Sequence, residues 1–238
     1  MILRYTDSTT IVDTILLEPQ IAEEISPLAT YHPETLSHLK RVGYLDVDLG
    51  YQNTLSPEDI ELLARSALVH DIGKRGVCLE VLDKPGKHTP EERQEMKSHV
   101  RKGYILLENI AYQKVRQIMV AHHEFQQDAY PRTRQDRRRK PRPVLERRKT
   151  DPAVLTLAQI LAAADVFDAL SAPRCYKEPF TIDQIEEIMR KDYKGAGIYV
   201  DQVLERLDSN NDGQFPIYQF LESIPFKRPN TLKSINQK

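Results

Sequence analysis

"SPEDIELLARSALVHDIGK", Ser56 to Lys74, is the stretch that decides the fold. Its first four residues place a hydroxyl acceptor at an N-cap, a proline at N1 and an acid at N3. That arrangement gives partners to the first backbone amides and starts a helix. Ile60, Leu63, Ala67, Leu68 and Ile72 follow at helical spacing. The helix ends on His70-Asp71, two side chains able to bind a metal, and runs into Gly73. A glycine there lets the backbone turn at little steric cost.

The same signals recur to either side. "TPEE", Thr89 to Glu92, opens a segment whose apolar positions Met96, Val100, Tyr104 and Leu107 predict one helix over 90–108. "TIDQ", Thr181 to Gln184, opens another. Between Pro152 and Ser171 lies an Ala-rich, helix-forming run that Pro173 ends. Strand candidates are few and no internal repeat is present. The fold class expected is all-α, a helical bundle over 31–207 with an N-terminal extension over 1–30 and a C-terminal extension over 208–238.

Composition narrows the function. Hydrophobic residues make up 40% of the 238 and the formal charge is −1, so the whole molecule favours neither nucleic acid nor membrane. The longest apolar run, Ile160 to Ala164, is far too short to cross a bilayer. Asp7 and Asp13 interrupt the N-terminus where a signal peptide needs an apolar segment, which predicts a cytoplasmic protein. Cys78 and Cys175 form no CxxC and read as plain thiols.

Chemistry concentrates in the histidines and carboxylates. Glu34 and His38 stand four apart, on one helix face. His70-Asp71, His99, His122-His123 and Asp165 each fall on a further predicted helix or its end, mostly with apolar flanks. Such groups need a partner or a metal when buried. Glu34, Asp71 and Asp165 would repel if packed together, and divalent cations would neutralise them. A His-plus-carboxylate set suits Fe, Mn, Zn or Co better than Mg. Asp168, one turn beyond Asp165, reads as either a support for a ligand or a helix-surface acid. His32 and His88 adjoin Pro33 and Thr89 at helix starts, where capping or surface roles are expected.

"HDIGK" (70–74), "LDKPGKHTPEERQEMKSHVRKGYILL" (82–107), "AHHE" (121–124) and "LAAADVFDAL" (161–170) together resemble the HD superfamily of metal-dependent phosphohydrolases. Among its branches they are most similar to the HD-GYP cyclic-di-GMP phosphodiesterases, with "SHLKRVGYL" adding an upstream helix. The resemblance implies two or three divalent transition-metal ions, Fe or Mn foremost. Asp71 would bridge two of them. His38, His70 and Asp165 would complete one shell, His99 and His122 a second, and Glu34 and His123 would allow a third. Lys74 would meet a nonbridging phosphate oxygen of a phosphoester cleaved by a hydroxide held between the metals.

Three features depart from the family or add to it. "HHEFQQDAYP" is one residue short of the family motif, and Ala129 replaces the glycine before Tyr130-Pro131. Arg132 to Lys149 then carries ten Lys/Arg against two acids, a net of +8 in eighteen residues. Tyr130 and Arg132 are candidate substrate contacts, and the arginine segment is a candidate site for an acidic protein or RNA; the alternative is a solvated charged loop. Lastly, "DSNNDGQF" resembles an EF-hand loop, with Asp208, Asn210 and Asp212 at positions 1, 3 and 5. Position 12 is Gln219, so any calcium binding there is weak. The functions that remain are a cyclic-dinucleotide or related phosphodiesterase, a metal-loaded signalling module with little turnover, and a general HD nucleotidase.

Overall fold

The computed structural model describes residues 2–109, 113–131, 151–172 and 180–208. Arg132, the arginine segment through Lys149, Cys175, Asn210 and Asp212 lie outside these residues, as does the side chain of Asp208. Among the described residues the chain is helical and holds no strand, only an isolated bridge between Gln126 and Tyr193.

The helices run in order α1 (Ile2–Leu16), α2 (Pro19–Ile25), α3 (Leu28–Tyr31), α4 (Pro33–Gln52) and α5 (Pro57–Val69). Next come α6 (Leu79–Leu82), α7 (Pro90–Lys97), α8 (His99–Leu106) and α9 (Gln113–Ala121). The last are α10 (Pro152–Ser171), α11 (Ile182–Asp192) and α12 (Gly197–Asp208). Ser56 caps α5 by accepting from the Asp59 amide, and Thr89 and Thr181 form reciprocal capping boxes with Glu92 and Gln184.

One boundary differs from expectation. The single helix read over 90–108 is two helices that part at Ser98. The Ser98 hydroxyl donates to the Glu95 carbonyl at 2.5 Å, a side-chain bond that competes with the helix ladder. The break puts His99 at the first position of α8.

Helices α4, α5 and α10 form the middle of the bundle, with α9 packed on α5 and α10. Along α4, Val42, Leu45 and Leu49 join one core cluster, with Leu63 and Ala67 of α5, Ile118 and Ala121 of α9, and most of α10. His38 stands at the head of that α4 stripe, one turn before Val42. Leu36, Leu39 and Val47 turn instead to a second cluster containing Val12, Ile15, Ile21, Ile25 and Leu28. The segment from Val12 to Leu28 therefore packs against α4 and α5 through an apolar face of its own. Helix α10 is long and apolar enough to cross a membrane by length and composition, yet it lies in the core, with Ile160 to Ala164 fully buried.

Asp46 is an exception within this core. It is fully buried on α4, and neither carboxylate oxygen has a hydrogen-bond partner. Burial, with repulsion from Asp165, pushes its carboxyl well above the usual range. The folded state thus keeps this proton to higher pH than the unfolded chain does. Stability is lost as pH rises above the unfolded value, about 3.9. Asp46→Asn is expected to be more stable than the wild type near pH 8, because the amide keeps the shape and has no charge to bury or proton to hold. Urea melts at pH 5 and pH 8 check this, because the gap between variant and wild type must widen at the higher pH.

Candidate metal centre

Five of the seven histidines converge on one end of the α4–α5–α10 core, each carried there by a helix end or stripe. His38, His70 and Asp165 form one group of donors, and Asp71, His99, His122 and His123 form a second. His70 is the C-cap of α5 and Asp71 follows it into the 3-10 turn Ile72–Gly76. His122 and His123 stand in the 3-10 turn His122–Phe125 just past α9, rather than on the helix.

The geometry is tight. His38 Nε2 lies 3.2 Å from Asp165 Oδ1 and 3.2 Å from His70 Nε2. Asp71 faces both groups. Its Oδ2 is 3.6 Å from Nε2 of both His38 and His70, while its Oδ1 is 3.0 Å from His99 Nε2. Lys74, three residues on, pairs with Asp71 Oδ2. The 3-10 turn brings Asp71 to His99 because Gly73 packs directly on α8. A Cβ at Gly73 would lie 1.9 Å from the His99 carbonyl oxygen and 2.5 Å from the Gly103 amide nitrogen. Gly73 is required for close approach, and not for a left-handed turn; the only described glycine with positive φ is Gly86.

Four of the five imidazoles are oriented through Nδ1. Nδ1 of His70 donates to the Ala67 carbonyl at 2.7 Å, Nδ1 of His99 to the Met96 carbonyl at 2.6 Å, and Nδ1 of His122 to the Met119 carbonyl. Nδ1 of His38 donates to Asp168 Oδ2 at 2.7 Å. These bonds orient the four rings and aim each Nε2 inward, and a ring that donates only through Nδ1 presents a lone pair there to a cation.

Charge follows the same plan. Burial works to raise the Asp71 carboxyl, yet Lys74, His70 and His99 hold it well below the usual range. Burial likewise opposes ionisation of Asp165, and His38 and His70 overcome it. Burial pushes His122 well below the usual imidazole value, with His123 and His70 adding to the effect. His123 is driven down to about 3, again mainly by burial. Burial lowers His38 too, but hydrogen bonds to Asp165 and Asp168 lift it to about 9. The centre therefore holds ionised carboxylates beside neutral His122 and His123 at ordinary pH.

This donor set fits divalent cations. Asp71 Oδ1, His99 Nε2, His122 Nε2 and His123 Nδ1 are buried without a hydrogen-bond partner, the 3.0 Å approach of the first two lacking hydrogen-bond alignment. Leaving such atoms unsatisfied costs about 1–3 kcal/mol each. One cation would satisfy all four. His and carboxylate donors in this number match transition-metal preferences.

Seven of the eight sequence-derived ligands are thus brought together. Glu34 is not in either group; it is exposed at the first turn of α4, one turn before His38, and has interactions of its own. His123 sits with the second group rather than apart. Tyr130, the candidate substrate contact, stacks on His123 with ring centroids 4.4 Å apart. Its amide donates to the His123 carbonyl at 3.3 Å, closing the shortened loop, and no described residue of 126–131 adopts positive φ. The loop thus follows a path that Ala129 accepts without strain. Lys97 lies 5.0 Å from the Tyr130 ring centroid and bonds Asp128 at 2.7 Å, fixing the loop over the centre. His32 caps α4 and meets Asp83, and His88 bonds the Val81 carbonyl, so both serve the scaffold.

Sequence reading left Arg41 unmentioned and Asp168 unassigned. Asp168 is fully buried, not a surface acid. Arg41 grips it with two bonds, Nε to Oδ1 at 2.7 Å and Nη2 to Oδ2 at 2.8 Å. The available signal was spacing: each stands three residues after a ligand, Arg41 after His38 and Asp168 after Asp165.

Comparison with known proteins agrees with this architecture. The HD domain family matches residues 35–170. A Vibrio cholerae protein named "Probable cyclic di-GMP phosphodiesterase" is 31% identical over 197 residues, 74% of this chain and 40% of its own length. The cyclic di-GMP phosphodiesterase response regulator RpfG of Xanthomonas campestris pv. campestris is 36% identical over 153 residues, 63% of this chain and 36% of its own. The 3'3'-cGAMP-specific phosphodiesterase 3 of Vibrio cholerae is 32% identical over 166 residues, 69% of this chain and 33% of its own. The chain spans less than half the length of these curated relatives. The family match covers more than half of the 238 residues and contains all seven gathered candidate ligands, so the chain belongs to the HD domain family.

Proposed function

We propose that the chain is a metal-dependent phosphodiesterase acting on a cyclic dinucleotide. The observation that carries this reading is the placement of Asp71, whose two oxygens face two separate groups of buried nitrogen and oxygen donors. A carboxylate so placed could serve both groups of donors if each held a cation. His38, His70 and Asp165 would hold one ion, and His99, His122 and His123 the other, with Fe or Mn the best match to the donors. When bound, such a pair supplies Lewis acidity toward a phosphoryl oxygen and lowers the pKa of water.

The chain's own groups do the rest. Asp71 and Asp165 supply fixed negative charge that anchors the cations. The Lys74 ammonium stands against Asp71, where it can meet a nonbridging phosphate oxygen and offset charge that develops there. Tyr130, with Lys97 over its ring and Asp128 paired to that lysine, covers His123. Glu34, at the exposed first turn of α4, is the residue through which a third ion would be added.

Relatives named for cyclic di-GMP and for 3'3'-cGAMP support a cyclic dinucleotide and leave two bases of choice. The test is the full chain loaded with Mn²⁺ or Fe²⁺ and assayed on cyclic di-GMP, 3'3'-cGAMP and bis-p-nitrophenyl phosphate. Turnover of at least one cyclic dinucleotide, abolished by chelation, is expected. Turnover of the nitrophenyl ester alone would reassign the chain as a general phosphohydrolase. Binding of a dinucleotide with no turnover of any ester would make it a signalling module.

A further inference from the structure

Three ligand histidines obtain their Nδ1 acceptor in one way, and His38 in another. Ala67, Met96 and Met119 each lie in the last turn of α5, α7 and α9. The last carbonyls of a helix have no amide further along it to accept from, so they are available to an imidazole three residues on. His70, His99 and His122 use them. His38 lies inside the 20-residue α4, where the carbonyl three residues back serves the regular i to i+4 ladder. It needs an acceptor from another element.

We infer that Asp168 and Arg41 form a positioning pair that holds His38 to its metal and braces α4 against α10. The inference rests on the metal-centre reading above. Both helices repeat one pattern, a candidate ligand followed one turn later by a member of the pair: His38 then Arg41 on α4, Asp165 then Asp168 on α10. Asp168 accepts from His38 Nδ1 and from both arms of Arg41, so one buried carboxylate fixes the imidazole of one helix from the other. The guanidinium fork balances the carboxylate charge and sets its plane. A charged acceptor also makes the imidazole a stronger donor to a cation than a carbonyl does. Neither residue touches substrate; both act through His38.

The experiment is Mn²⁺ titration of metal-stripped full-length wild type, Asp168→Asn and Arg41→Lys, followed by EPR and by metal content, with helix content checked by circular dichroism. Asp168→Asn is expected to lose about 10–100-fold in affinity for one ion and to keep wild-type affinity for the other. Arg41→Lys, which keeps the charge and loses the fork, is expected to weaken the same ion about tenfold, and it gives the reading if Asp168→Asn does not fold. Two ions at unchanged affinity, or equal weakening of both, would overturn the positioning role. Wild-type protein that takes up no Mn²⁺ would overturn both this inference and the metal-centre reading, which separates the two failures.

Discussion

Asp71→Ala is expected to abolish binding of both ions and to lower turnover by three orders of magnitude or more, about 4 kcal/mol of transition-state stabilisation. The size follows from the geometry. No other described carboxylate presents one oxygen to His38 and His70 and the other to His99. Losing it removes a bridge, frees Lys74 from its partner and leaves the two groups of donors unlinked. Asp71→Asn is the sharper control, because it keeps the volume and one carbonyl oxygen while removing the charge. Metal content and steady-state rates on a cyclic dinucleotide give the result. Equal turnover by wild type and Asp71→Ala, or a wild type that purifies and reloads without metal, would sink the enzyme reading.

Gly73→Ala is expected to be the most damaging glycine-to-alanine change among the described residues. The added carbon would fall 1.9 Å from the His99 carbonyl oxygen and 2.8 Å from its carbon, both backbone atoms that no rotamer change can move. The 3-10 turn and α8 must separate, and His99 then leaves Asp71. A loss of about 3 kcal/mol is expected, at the upper end for overpacking, or roughly 6–12 °C in Tm for a chain of this size. Gly103→Ala tests the argument from the other side of the crossing. Its Cβ would meet the flexible end of Met119 at 2.5 Å and the Gly73 amide nitrogen at 3.3 Å, so a milder loss of about 1 kcal/mol is expected. Thermal melts rank the two, and metal content shows whether only Gly73→Ala releases an ion. Equal effects from both would remove the backbone-contact explanation.

The helix starts were legible in the sequence because they depend on local chemistry. Ser56, Thr89 and Thr181 satisfy amides within three residues of themselves, and each does so as expected. The gathering of the candidate ligands was legible because seven metal-competent groups on apolar flanks have few ways to be buried singly. What was not legible depends on contacts across the fold. The break at Ser98 needs a side-chain bond to outcompete one turn of ladder, and a helical apolar pattern continues through it undisturbed. Gly73 reads locally as a turn residue, and its actual constraint is a backbone 26 positions away. Asp168 resembles any acid near a helix end until Arg41 and His38 are placed against it. Glu34 shares a helix face with His38 by spacing, but α4 begins at Pro33, and its first turn projects outside the buried cluster.

The last-turn carbonyls have a thermodynamic consequence. Helix ends are where backbone hydrogen bonds open most easily, yet Ala67, Met96 and Met119 anchor three of the histidines. Fraying of any one end swings an imidazole away from the centre, and a bound cation opposes that fraying by mass action. On the metal-centre reading proposed above, metal uptake and order at the ends of α5, α7 and α9 would be a single linked equilibrium. Anything that loosens those ends acts as a brake on the centre without touching a ligand.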